Sequence, residues 1–343
     1  MAKHRAHSLT GQVAYHDLLR LLKDQAVSDL RGTPTLKQVS GRGYWYDRYR
    51  VGTRTVDRYI GEDHPDLRAR LDRAGDIAKE AHAAGQEQAR LVRLLRAEGY
   101  MPVDLGTGQI LTAMARAGVF RLGGTLVGTQ AFRLYEGELG VRIGSDQMSM
   151  TMDVDIASFE RLSLVLDDRV DPSLPEMFRD FSFDPVPGRD RPNDVWRWRQ
   201  TNQQTLIEFL TPSFEAGEGI RDLPALGVKA QALHHLNYLI ADPIQAAVIY
   251  RRGALVQVPR PARYAIHKLI VADRRRDGED ALKARKDRAQ AAFLIDFLAD
   301  EDPDALVEAL EDARARGPAW RNRIDATLSR MPKTAERLAA LSV

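Results

Sequence analysis

Leucines recur at helical spacing in YHDLLRLLKDQAV, residues 15–27, and predict an early helix. The next run, GRGYWYDRYRVGTRTVDRYIG, alternates aromatic and polar positions and predicts a β-hairpin turning near Gly52-Thr53. Its first strand then carries Tyr44, Tyr46, Arg48 and Arg50 on one face. Pro65 opens a predicted long helix with Leu67, Leu71, Ala74, Ala78, Ala81, Leu91 and Leu95 at helical spacing, closed by Gly99. If straight, that helix reaches on the order of 50 Å.

Beyond about residue 101 short strands and helices alternate. GTGQILTAMARAG predicts a helix ended by Gly118, VFRL a short strand, GGT a tight turn and LVGTQAFRLYEGEL a second helix. There follow a strand at 150–156, a loop rich in proline and charge at 167–194, the strands VWRWRQ and TLIEFLTP, and a hairpin in AVIYRRGALVQV. From Pro259 onward the pattern is helical, with Pro261, Pro303 and Pro318 at starts and Gly317 at an end. The order predicts an α/β (α+β) protein: an accessory region over 1–100, a mixed-sheet core over 101–258 and a helical domain over 259–343. The chain is long enough for two or three such units.

Composition narrows the chemistry. With no cysteine, disulfides, thiolate metal sites and cysteine nucleophiles are excluded. No apolar run approaches the roughly 20 residues that span a bilayer, and MAKHRAHSLTGQ lacks a secretory apolar segment, so a cytoplasmic protein is expected. A net charge of +2 leaves any nucleic-acid contact to local patches.

SMTMDVDIAS, residues 149–158, places Asp153 and Asp155 on one face of a strand and Met152, Val154 and Ile156 on the other. Two like charges on a half-buried surface repel and lose hydration, so a cation should compensate them. Upstream, VFRLGGTLVG offers glycines that let a backbone approach an anion before a helix N-terminus. The pair of features suits phosphoryl or nucleotidyl transfer, with carboxylates holding Mg²⁺ and two such ions about 4 Å apart activating the attacking oxygen and stabilising the leaving pyrophosphate. Taken alone, the glycines make only a strand–helix turn and the aspartates only a solvated edge strand.

LGGT followed by MDVDIA resembles the DNA polymerase β-type nucleotidyltransferase superfamily, and GGTLVGTQAFRLYEGELG…TMDVDIA with PRPARYAIHKLIVADRRR resembles a bacterial family of predicted nucleotidyltransferases. That family is related to the toxins of abortive-infection and toxin–antitoxin systems. The resemblance covers residues 101 to 300. Between Gly124 and Asp153 lie 28 residues, an insert longer than the superfamily spacing and suited to the closer family. The resemblance implies that Gly123, Gly124 and Thr125 hold the nucleotide, that Asp153 and Asp155 bind metal, and that Glu208 in TLIEFLTP adds a third carboxylate. It also implies that the lysine of ARYAIHKLIVAD, Lys268, contacts the phosphates and that Asp287 assists at the active site.

The residues around Lys268 are apolar nearly all round its helix, so its charge needs an anionic partner. Phosphate oxygens would serve, and so would Asp287, which lies on the extension of a core-facing stripe through Gln290, Leu294 and Phe297. His234 and His235 are adjacent, point about 100° apart on a helix and read as partly buried histidines rather than a chelating pair. The tyrosine–arginine face of the hairpin reads either as a stacking surface for an acceptor or as a packed sheet face. The expected activity is transfer of a nucleoside monophosphate from an NTP, ATP included, to a hydroxyl of RNA such as tRNA or of a protein. An antitoxin or a second copy of the chain is the expected partner. The rival readings are a non-catalytic nucleic-acid-binding protein and a metal-dependent phosphohydrolase.

Overall fold

The computed structural model describes the chain except residues 1–3, 29, 31, 40, 52–53, 145–152, 160–167, 189–192, 202–204, 278–280 and 342–343. The early helix forms as α1 (Leu9–Ser28). The hairpin forms as β2 (Arg42–Val51) and β3 (Arg54–Glu62), and its expected turn at 52–53 lies outside the described residues. A further strand, β1 (Thr33–Val39), pairs antiparallel with β2. Pro34 hides β1 in the sequence, yet a proline is tolerated on an edge strand. The expected single helix from Pro65 is two, α2 (Pro65–Asp72) and α3 (Ala74–Ala97). Arg73 leaves the helical basin at ψ 5°, and its N–H closes onto the Arg70 and Leu71 carbonyls. The 24 residues of α3 reach about 36 Å rather than 50 Å.

Next come α4 (Leu105–Ala117), ended by Gly118 in the left-handed region, then β4 (Thr125–Val127), α5 (Gly128–Leu139) and β5 (Val154–Ala157). VFRL is not a strand. Val119, Leu122 and Gly124 each donate a backbone hydrogen bond inside consecutive turns, while Val119, Phe120 and Leu122 are buried. Four apolar-rich residues carry no period that separates a buried turn from a strand. The described part of the expected loop at 167–194 holds α6 (Leu174–Asp180) and β6 (Phe183–Pro185).

The main sheet continues with β7 (Arg197–Gln200), β8 (Leu206–Pro212), β9 (Ile220–Leu223) and β10 (Val228–Leu233), in the order β4-β5-β8-β10-β9 with β6 and β7 attached to β8. β5 and β8 run parallel, as do β8 and β10; β4 runs antiparallel to β5. Strand alternation buries Val154, Ile156, Ile207 and Phe209 on one face. Trp198 joins them, its ring 5.1 Å from Phe178 and 5.4 Å from Phe209. The opposite face carries Asp155 and Glu208.

A short helix α7 (Leu236–Leu239) and the expected hairpin, β11 (Ile244–Val248) with β12 (Ala254–Val258), lead to the helices α8 (Pro261–Arg274), α9 (Ala281–Glu301), α10 (Pro303–Ala315), α11 (Pro318–Leu328) and α12 (Pro332–Ala339). This mixed α/β architecture is the one expected.

The N-terminal elements pack on the rest. Tyr15 of α1 donates to Glu138 and accepts from the Ala247 N–H at 3.0 Å. Asp168 accepts from the Tyr59 N–H at 2.9 Å and from Arg121 at 2.5 Å, which clasps β3 to the turn after α4. Tyr44, Tyr46 and Tyr59 are buried, and Arg48 is bonded to Asp57 at 2.7 and 3.0 Å. The tyrosine face is therefore packed inward.

Candidate functional site

Four strands set a row of residues across the polar face of the sheet. Val127 pairs with Asp155, Asp155 with Glu208, and Glu208 with Arg197. Directly paired residues share a face, so Asp155 and Glu208 stand side by side. Asp153 sits just before β5, two residues from Asp155 and on the same side by alternation. Burial and the neighbouring Glu208 and Asp153 push the Asp155 carboxyl up to about 7, against the opposing pull of Lys268 and Arg275. Burial also raises Asp153 and Glu208, with Lys286 and Lys283 opposing at the first and Arg197 at the second. Three neighbouring carboxylates with raised pKa values favour added positive charge beside them.

Gly128 closes one side of the row. It has φ +65°, and a Cβ there would fall 2.3 Å from Asp155 Oδ2. The strand–glycine–helix step expected at Gly123, Gly124 and Thr125 is thus found one step later, at Val127-Gly128-Thr129. The Gly123 and Gly124 N–H groups donate to the Phe120 and Val119 carbonyls, so neither is available to a phosphate. A Cβ on Gly124 would meet the Val119 carbonyl oxygen at 2.8 Å, and Thr125 is buried opposite Ala157. In this structure the two glycines form a turn and Thr125 begins β4.

The two helices α8 and α9 supply cations. Lys268 Nζ lies 2.5 Å from Asp287 Oδ1, and Arg275 Nη1 lies 3.0 Å from Asp287 Oδ2. Burial disfavours the Asp287 carboxylate, yet Lys268 and Arg275 together hold its pKa below the ordinary range. The internal ion pair is therefore present, and Asp287 has both oxygens engaged by cations. Tyr264, one turn before Lys268, donates its hydroxyl to the Gly128 carbonyl at 2.9 Å and lies 3.0 Å from Gln290 Oε1. It fixes α8 and α9 against the strand-to-helix step. Lys286 is pulled down to about 8, by burial first and then by Lys268.

Among the described residues no group of three or more His, Cys, Asp or Glu side chains already converges on a metal position. The donor chemistry nevertheless fits Mg²⁺. Asp153, Asp155 and Glu208 are hard, mutually repelling oxygen donors, and this ion commonly takes one or two carboxylates and completes its shell with phosphate and water.

Arg197 and Lys286 carry no motif that marks them in the sequence, while Gly128 ends VFRLGGTLVG, Arg275 lies in VADRRR and Lys283 lies one turn before Asp287 on its helix stripe. Their roles depend on strand register and on the angle between α8 and α9. His234 and His235 do not lie in a helix. His234 bonds Glu218 at 3.0 Å, and His235, at φ +70°, packs on Trp320; both are partly buried.

A family model described as Nucleotidyltransferase matches residues 106–315, and one described as a domain of unknown function (DUF6788) matches residues 15–69. No curated protein and no solved structure gives a match. The first match spans the whole row of carboxylates, the cations of α8 and α9 and the sheet that holds them.

Proposed function

This chain belongs to a nucleotidyltransferase family, and from that premise we propose that it moves a nucleoside monophosphate from an NTP to an acceptor hydroxyl with Mg²⁺ as cofactor. The observation that carries the reading is the register that sets Asp155 beside Glu208, with Asp153 adjacent and Gly128 pressed against Asp155. Asp153, Asp155 and Glu208 would hold the ion, which when bound supplies charge stabilisation at the reacting phosphate. Gly128 lets the backbone come close to Asp155, and Tyr264 holds that backbone in place through its carbonyl. Lys268 places positive charge beside Asp155, and Asp287 keeps that lysine aimed. The acceptor hydroxyl gives its proton to solvent as its oxygen bonds to the α-phosphorus, the bond from that phosphorus to the bridging oxygen breaks, and pyrophosphate leaves with the electron pair. Positioning and charge neutralisation supply most of the barrier reduction in such transfers, and no covalent nucleophile is required.

An RNA acceptor, tRNA included, is the reading put to the test against a protein acceptor, because local basic groups are what meet a polyanion. The test is incubation with each α-labelled NTP, Mg²⁺, and total cellular RNA or protein. Label is expected in the RNA fraction with wild type and in neither fraction with Asp153→Asn or Asp155→Asn. Transfer by both variants at the wild-type rate would refute the assignment. Growth arrest on expression, lost in the same variants, would extend the reading to a toxin.

A further inference from the structure

Lys268 is the cation that the sequence marks, yet it is buried and committed. Its side chain is 8% exposed, and its ammonium lies 2.5 Å from a carboxylate that is itself 1% exposed. Arg275 differs in each respect. Its side chain is 40% exposed, and only Nη1 is drawn to Asp287, at 3.0 Å. A guanidinium has five N–H donors in a rigid fork, so most of that fork is directed elsewhere than at Asp287. The helix that precedes Arg275 is tied to the carboxylate row by geometry: its Tyr264 donates to the Gly128 carbonyl at 2.9 Å, and Gly128 is pressed against Asp155. Arg275 therefore lies beside the buried ion pair, at a margin open to solvent.

We infer that Arg275 is a phosphate-binding residue of the donor nucleotide, contacting the chain beyond the α-phosphate, and that Asp287 is the positioning residue that aims it. Lys268 and Arg275 share one carboxylate, so Asp287 does not use up the Arg275 fork, and a phosphate can take its exposed N–H groups. The planar fork suits two oxygens of one phosphate, which a buried ammonium cannot match. This assignment rests on the nucleotidyl-transfer reading, and the experiment separates the two.

Equilibrium binding of each common NTP and its NMP, with Mg²⁺, is measured for the full chain and for Arg275→Gln and Arg275→Lys. Wild type is expected to prefer the triphosphate. Arg275→Gln should lose roughly tenfold or more in triphosphate affinity and less than about threefold in monophosphate affinity, with Arg275→Lys between the two. A purely structural role would weaken both nucleotides alike. Such an equal loss, or an Arg275→Gln protein within about twofold of wild type for the triphosphate, would overturn the inference and leave the proposed function standing. If Arg275→Gln does not fold, the lysine variant decides, and wild-type selectivity in it overturns the inference. Wild type that binds no NTP would overturn the inference and the proposed function together.

Discussion

A methyl group at position 128 would collide with Asp155, and the residue already has a positive φ. Gly128→Ala should therefore move Asp155 and lower transfer by roughly a hundredfold, since a displacement of about 1 Å at a reacting centre has that effect. Gly124→Ala would press on the Val119 backbone instead, so it should lower the melting temperature without selectively weakening NTP binding; binding assays and melts on both variants check the contrast. The raised Asp155 pKa makes a second prediction. Its carboxyl holds a proton in the folded chain up to about 7 but only to 3.8 when exposed, so folding stability falls as pH rises between those values. In metal-free melts wild type should lose several degrees between about pH 5 and about pH 8, and Asp155→Asn much less. An identical pH profile would contradict it. For the buried pair, Lys268→Met leaves Asp287 short of a partner and should cost about 3 kcal/mol, and adding Asp287→Leu should restore much of it. Urea unfolding of the three proteins measures this. The aspartates and Lys268 are legible in the sequence because charge inside an apolar run is costly and conspicuous. Gly128 and Arg275 fall inside VFRLGGTLVG and VADRRR, yet the contacts that single them out come from what the fold brings beside them.

Helices whose ends carry proline or glycine are readable as elements, and α8, α10 and α11 begin at the prolines that announce them. The exceptions share a physical cause. The Arg73 break and the turns through VFRL are closed by short-range backbone hydrogen bonds, and β1 by pairing with β2, none of which a hydrophobic period marks. The hairpin shows the same limit: alternation marks Tyr44 and Tyr46 as one face, but only the assembled chain shows that this face is buried. Its docking depends on Asp168, which takes a hydrogen bond from the Tyr59 N–H and an ion pair from Arg121. Asp168→Ala leaves the largely buried Arg121 without that carboxylate and should cost about 3 kcal/mol. Hydrogen exchange should accelerate first in β2 and β3. Unchanged exchange there would show that the clasp does not hold the sheet.

Across the whole molecule, the first hundred residues are built into the remainder. Tyr15 bridges α5 and β11, and Leu18, Leu91, Leu95 and Tyr100 share a core with Ala247 and Ile249. A chain beginning at residue 101 should therefore melt well below the full chain, because it uncovers apolar surface on β11. This makes point variants the cleaner probes of the acceptor. The same unity places the chemistry in one location: sheet register gathers the carboxylates, and α8 and α9 lay cations against them. Nucleotidyl transfer and phosphohydrolysis would both use such a cluster, and the fate of the phosphates tells them apart. Paired reactions with α-labelled and γ-labelled NTP, Mg²⁺ and cellular RNA test the central claim most directly. The account predicts α-label joined to the acceptor, γ-label released as pyrophosphate, and loss of both in Asp155→Asn. Release of γ-label as inorganic phosphate, with α-label remaining on free nucleotide, would contradict it.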